Sequence, residues 1–367
     1  MSQTDLIENS KRAVIIGING QMGTYLKDLL LKKGYQVHGI IRYSSTNRQC
    51  AICPTPREKL LQIEDGVVYH FGDLAEGGTL ISIISTVRPH EVYNLGSVSN
   101  AQISFDLAEY VLRADGIGAL RILEAVRLCS LTTFTRIYQA GSSELFGAVQ
   151  ESPQCETTAF RPRSPYGVSK LYAYWTVVNY REAYGMHASN GILYNSESPR
   201  RGKDFVTRKI TSSVARIKKG IQEYLEIGNL DARRDWSHVQ DFASAIWLML
   251  QQDKGDDYVL SSGIARSVRD FISEAFNVVG IVVKWTGLPG SVLEQGVDCA
   301  DSTRVLVRVN PAFFRPLEQF ELRGNSAKAK TLLQWQPRTS FRALVQEMVH
   351  ADLAALDCEH HPDESGS

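Results

Sequence analysis

The chain has 367 residues, 40 basic and 40 acidic side chains, and no formal net charge. Apolar residues make up 43 %, charged residues 22 % and aromatics 9 %, the composition of an ordinary soluble globular protein of one large or two modest domains. The even charge balance argues against a nucleic-acid partner, which would usually demand a basic excess. No apolar run approaches the ~20 residues of a membrane helix, and the polar start MSQTDLIENSKR lacks the apolar stretch of a secretory signal. Six scattered cysteines, Cys50, Cys53, Cys129, Cys155, Cys299 and Cys358, form no disulfide framework and fit a reducing cytoplasm. Cys50-Ala-Ile-Cys53 runs into Pro54 and Pro56 and reads as loop, so no metal site is expected.

The first half alternates strand and helix patterns. RAVIIG is a buried strand ending in glycine, and Tyr25 to Lys33 has helical periodicity, closed by Gly34. YQVHGIIR and VVYHFGDL are the second and third strands, the latter ending at Gly72-Asp73. Thr79 to Val87 is a helix halted before Pro89, HEVYNLG the fourth strand, Ala108 to Leu128 a long amphipathic pattern, and TRIYQAGSS the fifth strand. Such β-α units predict an α/β fold, a Rossmann-type doubly wound parallel sheet with right-handed crossovers. A long aromatic-rich helix, Gly167 to Tyr184, and the strand ASNGILYN complete it, giving a first domain over 11–194. The remainder, 195–356, is less regular: a basic helix Arg208 to Lys219, strand YLEIG, helix Val239 to Leu250, strand DYVL and helix Val268 to Val279. It reads mainly as a smaller α/β substrate domain laid over the carboxyl edge of the sheet, where such folds bind ligands, with some chain returning to the first. The ends, 1–10 and 357–367, read as disordered tails.

Gly17-Ile-Asn19-Gly20-Gln21-Met22-Gly23 lies between the first strand and the first helix. Gly17 and Gly20 let backbone approach a pyrophosphate, Gly23 lets helix pack on strand, and the helix N-terminus presents free N–H groups. In NAD-binding folds the second strand ends in an acid that holds the ribose hydroxyls. Here it ends in Arg42, followed by Tyr43-Ser44-Ser45. An acid would repel a 2′-phosphate, whereas a guanidinium pairs with it, so the expected cofactor is NADP. Asp73 is placed to accept from the adenine amino group, and Leu95 to Ser99 lie where such folds line the cofactor.

Tyr166 and Lys170 form Y-x-x-x-K. On a helix from Pro165 they share one face. An ammonium favours a neighbouring phenolate, and a phenolate serves as general base toward an alcohol. Ser142 ends the fifth strand upstream, and with the glycine-rich turn these residues describe a short-chain dehydrogenase/reductase arrangement. Glu144, two residues on, is a carboxylate that plain alcohol oxidation does not need. Oxidising a sugar C4 hydroxyl makes the C5 hydrogen acidic; Glu144 would remove it and pass a proton to the departing C6 hydroxyl, with hydride returning to C6. Capping of the next helix is the structural alternative for Glu144.

Taken with GYQVHGIIRYSS, EVYNLGSVS, GSSELFG, RPRSPYGVSKLYAYW, NGILYNSESPRRG, DFVTRKIT and GNLDARRDW, these residues resemble the GDP-mannose 4,6-dehydratase family of the extended short-chain dehydrogenases/reductases, from about Ala13 to about Leu353. The resemblance implies Ser142, Glu144 and Tyr166 as catalytic hydroxyl, base and tyrosine, with Lys170 the tyrosine's partner. It implies cofactor contacts at Gly17, Asn19, Gly20, Gln21, Met22, Gly23, Arg42, Ser44, Ser45, Asp73, Leu74, Leu95, Gly96, Ser97, Ser99, Tyr110, Ser196 and Arg201. GDP-mannose would be held by Asn195, Lys209, Arg234, Arg315 and Glu318, with Ser97 joining Ser142, Glu144 and Tyr166 at the sugar. Lys209, Arg234 and Arg315 suit a diphosphate and Glu318 a guanine. A homodimer or homotetramer is implied, the loop at Arg42 reaching a neighbour's cofactor. Ser142, Asn19, Met22, Tyr43, Asn100, Phe146 and Ser196 depart from the family pattern, and none removes an atom that performs the chemistry. The residues leave open an epimerase, a dehydratase on another nucleotide sugar, and a cofactor-binding protein without turnover.

Overall fold

A computed structural model describes residues 10–42, 62–64, 66–314 and 321–360. The chain divides into two units, residues 1–193, 242–260 and 326–336 forming one, and 194–241, 261–325 and 337–367 the other.

Unit 1 is built on an eight-stranded sheet. Its strands are β1 (Arg12–Ile16), β2 (Gln36–Ile41), β3 (Gln62–Glu64), β4 (Val67–Phe71), β5 (Glu91–Asn94), β6 (Arg136–Ala140), β7 (Ala188–Leu193) and a last strand, Asp257–Leu260. The order across the sheet runs Asp257–Leu260, β7, β6, β5, β1, β2, β4, β3. Every pairing is parallel except that of β3 with β4. Strand β1 reads as a continuous apolar run because both faces are covered. Ala13 and Ile15 join one core cluster with Val37, Tyr93 and Tyr138, while Val14 and Ile16 join another with Ile40, Val92 and Ile137.

The helices are α1 (Gln21–Lys32), α2 (Gly77–Val87), α3 (Ile103–Asp106), α4 (Ala108–Val111), a π turn (Leu112–Gly116), α5 (Ile117–Leu128) and α6 (Pro165–Tyr184). The amphipathic pattern from Ala108 is thus one helix only in outline; the π turn splits it. Helix α6 begins at Pro165, with Ser164 as N-cap accepting from the Gly167 N–H at 3.1 Å, the pairing of capping hydroxyl and first-turn proline that suits a helix start.

Unit 2 holds two four-stranded sheets. In one, Arg233–His238 pairs with Asn195–Glu197, Ala265–Ser267 and Glu321–Leu322. The other orders Val283–Thr286, Gln295–Asp298, Val305–Val309 and Leu225–Ile227. Helices Val206–Lys218, Val268–Val278 and Phe341–His360 pack around a core that includes Trp236, Phe271, Phe276 and Leu306.

The chain that returns to unit 1 is most of helix Val239–Met249 and all of strand Asp257–Leu260, which extends the parallel sheet beside β7, together with 326–336. Two features differ from the sequence reading. Strand β3 has no counterpart in the sequence reading; three residues carry too little pattern. The tail does not begin at 357, since the last helix runs through His360 and Lys219 pairs with Asp357. Among the described residues no helix is long and apolar enough to cross a membrane.

His38 on β2 and His70 on β4 stack with centroids 5.2 Å apart, Nδ1 to Nε2 2.9 Å. Burial, then the charge of its neighbour, lowers His38 from 6.5 to about 4; burial also lowers His70. Below the ordinary imidazole value the unfolded chain takes up protons that the folded pair refuses. The pair's contribution is therefore complete above pH 6.5 and lost as pH falls toward about 4. Urea unfolding across that window should show falling stability, and His38→Gln should flatten the slope; an equally steep slope in the variant would place its origin elsewhere.

Candidate active site

The site residues of unit 1 gather at the carboxyl ends of β1, β5, β4 and β6, where a parallel sheet exposes its loops and helix N-termini. At the first turn Gly17 has φ +81°, and a Cβ there would stand 2.9 Å from the Gly96 amide nitrogen. A Cβ on Gly23 would stand 2.3 Å from the Gly17 carbonyl oxygen. The turn is therefore closed against β5 on one side and α1 on the other, leaving only backbone. Gly20 is the N-cap of α1, and no side-chain oxygen caps the first turn, the kind of helix start that favours an anion. Asn19 and Gly20 are exposed, and Gln21 and Met22 partly so.

Leu74, after β4, packs over Gly96, where a Cβ would meet Leu74 Cδ1 at 2.8 Å. The Leu95 N–H donates to the Ile16 carbonyl at 3.0 Å, tying the β5 end to β1. Asp73 Oδ1 accepts from the Ala75 N–H at 2.8 Å. Arg42 follows β2, exposed, and donates to the Tyr110 hydroxyl at 2.6 Å; two residues far apart in sequence and both expected at the cofactor are in direct contact. Ser99 is exposed. Ser44, Ser45 and Tyr43, with Cys50 and Cys53, lie outside the described residues, as do Arg315 and Glu318.

The catalytic candidates meet at the β6–α6 corner. Ser142 caps the 3₁₀ turn Ser143–Leu145, its Oγ accepting from the Glu144 N–H at 3.2 Å. Ser142, not Glu144, is the cap here. That turn packs on the start of α6, where a Cβ on Gly167 would stand 2.8 Å from the Glu144 carbonyl oxygen. Tyr166, 7 % exposed, has its N–H held by Ser104 Oγ at 3.2 Å. Lys170, 2 % exposed, places its Nζ 5.6 Å from the centre of the Tyr166 ring and donates to the Ala140 carbonyl at 3.0 Å. Helical spacing alone put tyrosine and lysine on one face; the strand end supplies the acceptor that holds the ammonium.

A model of the GDP-mannose 4,6 dehydratase family matches residues 14–348. The chain is 50 % identical over 344 residues to a Homo sapiens GDP-mannose 4,6 dehydratase, covering 94 % of this chain and 92 % of that one. A GDP-mannose 4,6-dehydratase of Sinorhizobium fredii is 49 % identical, with 94 % and 97 % covered. The chain belongs to the GDP-mannose 4,6-dehydratase family. Its fold is shared with a Thermus thermophilus UDP-glucose 4-epimerase solved in complex with NAD, at TM-score 0.74 and 20 % identity, covering 94 % and 99 % of the two chains.

In unit 2 the described residues matched to this family lie on one sheet, on helix Val206–Lys218 and in the loop that precedes that helix. Asn195 and Ser196, partly buried, face Trp236 and Ser237 across parallel strands, and Arg234, 8 % exposed, lies on the same central strand. Arg201 Nε is 3.3 Å from Glu197 Oε2, with its guanidinium stacked 3.5 Å over the Phe205 ring. Glu197 was not singled out in the sequence. It is buried, accepts from Thr207 Oγ1 at 2.6 Å, and burial raises its pKa while Arg201 opposes the rise. Lys209 lies 3.4 Å over the Phe313 ring, and burial lowers its pKa against the pull of Glu226. The other residue the sequence reading missed is Asp115, a buried carboxylate inside the π turn; its only local signal is an acid amid a helical apolar pattern.

Gly17→Ala should fold with a displaced first turn and lose dinucleotide affinity by roughly tenfold or more, since αL strain and the Gly96 clash both fall on the phosphate cradle. Fluorescence titration with NADPH measures it; unchanged affinity would remove the turn from the binding site.

Proposed function

We propose that this chain is a GDP-mannose 4,6-dehydratase that converts GDP-D-mannose to GDP-4-keto-6-deoxy-D-mannose with NADP, acting as a lyase. The family match carries the substrate. The packing of the Ser142–Leu145 turn on the start of α6 supports the chemistry, because it seats the Glu144 backbone against Gly167, the neighbour of Tyr166.

The residues present fit NADP. The Gly17–Gly23 turn admits backbone only, the start of α1, which has no side-chain cap, would face the pyrophosphate, and Arg42 with Tyr110 would supply a cation and a phenol to the 2′-phosphate. The chemistry that bound NADP supplies is a hydride taken from C4 and returned at C6. Tyr166 takes the proton of the C4 hydroxyl, with Lys170 beneath its ring favouring the phenolate. Ser142 orients that hydroxyl. The resulting C4 ketone acidifies C5–H. Glu144 removes the C5 proton and delivers a proton to the C6 hydroxyl, which leaves as water. A proton from Tyr166 restores C5 and returns the phenolate, so the sugar loses one water and nothing else. Lys209 and Arg234 in unit 2 serve the GDP diphosphate.

The reading includes a homodimer or a homotetramer built from such dimers. Val168, Tyr172 and Trp175 form an i, i+4, i+7 stripe on α6 and are 43–52 % exposed, beside Leu112 at 40 %. A self-complementary apolar helix face of this kind suits a two-fold interface. Cytoplasmic location is part of the same reading, supported by free Cys129, Cys155, Cys299 and Cys358.

Product identification by mass spectrometry tests the reaction. Wild type with GDP-mannose and NADP should release product lighter by one water. Tyr166→Phe should lower kcat roughly 100- to 10,000-fold, and Glu144→Gln should reduce NADP on substrate without losing water. Dehydration by Glu144→Gln at the wild-type rate would overturn the assignment. For the interface, Trp175→Glu should elute as monomer in size exclusion with light scattering; an unchanged dimer would place the interface elsewhere.

A further inference from the structure

A carboxylate that the proposed reaction does not use stands at its centre. Asp115 is 1 % exposed. Its Oδ2 accepts a short hydrogen bond from the Ser97 hydroxyl and lies 3.8 Å from Lys170 Nζ; its Oδ1 accepts from the Val98 N–H at 3.1 Å. One side chain thus ties the loop after β5 to the ammonium on α6. The π turn puts it there. A π turn adds a residue to the helical period and re-aims the side chains around it, and such turns recur at functional sites. Gly116 eases the placement: a Cβ there would meet Leu112 Cδ1 at 3.1 Å, and the Ser169 carbonyl and Tyr172 Cδ1 at 3.3 Å, so a side chain would press the π turn and α6 apart by a few tenths of an ångström.

We infer that Asp115 is a positioning residue that fixes the Lys170 ammonium beneath the Tyr166 ring and sets the hydrogen-bonding direction of the Ser97 hydroxyl. The inference rests on the catalytic reading of Tyr166 and Lys170 given above. A lysine ammonium rides on a flexible four-carbon stem, and here the Ala140 carbonyl supplies one acceptor while Asp115 supplies the counter-charge. Ser97 is an exposed residue whose proton is committed to Asp115. Its oxygen therefore offers only lone pairs to a ligand. It selects a donor such as a ribose or hexose hydroxyl and rejects a phosphate oxygen.

Asp115→Asn keeps the shape and removes the charge. In the full chain with NADP and GDP-mannose, plateau kcat should fall roughly 10- to 100-fold as Lys170 loses its fixed place. KM for GDP-mannose should change less than kcat, because the proposed loss falls on the group that moves the proton. A structural role alone would lower the melting temperature and leave the plateau in place, and that result overturns the inference. Ser97→Ala, on an exposed loop, reads the hydroxyl part even if the Asn variant folds poorly: KM for GDP-mannose or for NADP should rise with plateau kcat changed less, and unchanged KM values for both would overturn it. Tyr166→Phe separates the two levels. An inactive Tyr166→Phe beside a wild-type-like Asp115→Asn removes only the role of Asp115, whereas an active Tyr166→Phe removes the catalytic reading and this inference together.

Discussion

The ammonium of Lys170 is held almost wholly out of water. A buried charge is tolerated only when it is paired and hydrogen-bonded, and that requirement organises everything around it. The Ala140 carbonyl at the end of β6 and the Asp115 carboxylate in the π turn must both reach one nitrogen. Meeting the condition locks the start of α6 to the end of the central sheet and to the segment before α5. Tyr166, four residues before Lys170 on the same helix, is placed by the same lock. Leaving one partner of such a group unmatched costs about 3–5 kcal/mol, so the arrangement is as much a part of the fold as of the site.

The glycine-rich turn works by a complementary constraint. It excludes side chains instead of pairing them. Gly17 lies against Gly96 and Gly23 against Gly17, so the ends of β1 and β5 and the start of α1 converge with no Cβ between them. What remains is a row of amides at a helix N-terminus, which attracts a phosphate through hydrogen bonding and the helix dipole together. The same sheet edge thus carries two different surfaces: bare backbone at the turn, and a charged, tightly paired cluster at the β6–α6 corner, to which the proposed function assigns the phosphates and the reacting sugar.

The sequence is most legible where chemistry depends on local spacing. Strand β1, the turn after it, and the Tyr166–Lys170 pair could be read from period and order alone, and so could the family resemblance, which rests on many short stretches in sequence order. It is least legible where an element serves a distant partner. The pattern from Ala108 to Leu128 shows an amphipathic helix but not its interruption, because the π turn is stabilised by what Asp115 and Gly116 touch on other elements. Strand Asp257–Leu260 looked like part of a second domain because its sheet partner, β7, is far away in the chain. Glu197 passed unnoticed inside a basic motif, although it is the buried acid to which Arg201 is tied.

By itself, the sequence determined the parallel α/β sheet, the glycine-rich turn and the helical face shared by tyrosine and lysine, and it singled out Glu144 as the carboxylate to which the proposed function gives dehydration. Each is a matter of residues a few positions apart, governed by helical period, strand alternation and turn sterics. Tertiary structure alone decided which carbonyl and which acid hold the ammonium, that Arg42 meets Tyr110, and that Ser142 rather than Glu144 caps the turn. Those choices follow from the low tolerance of a packed interior for unpaired charge and unmatched polar atoms, which is met by whichever residues the fold brings within reach.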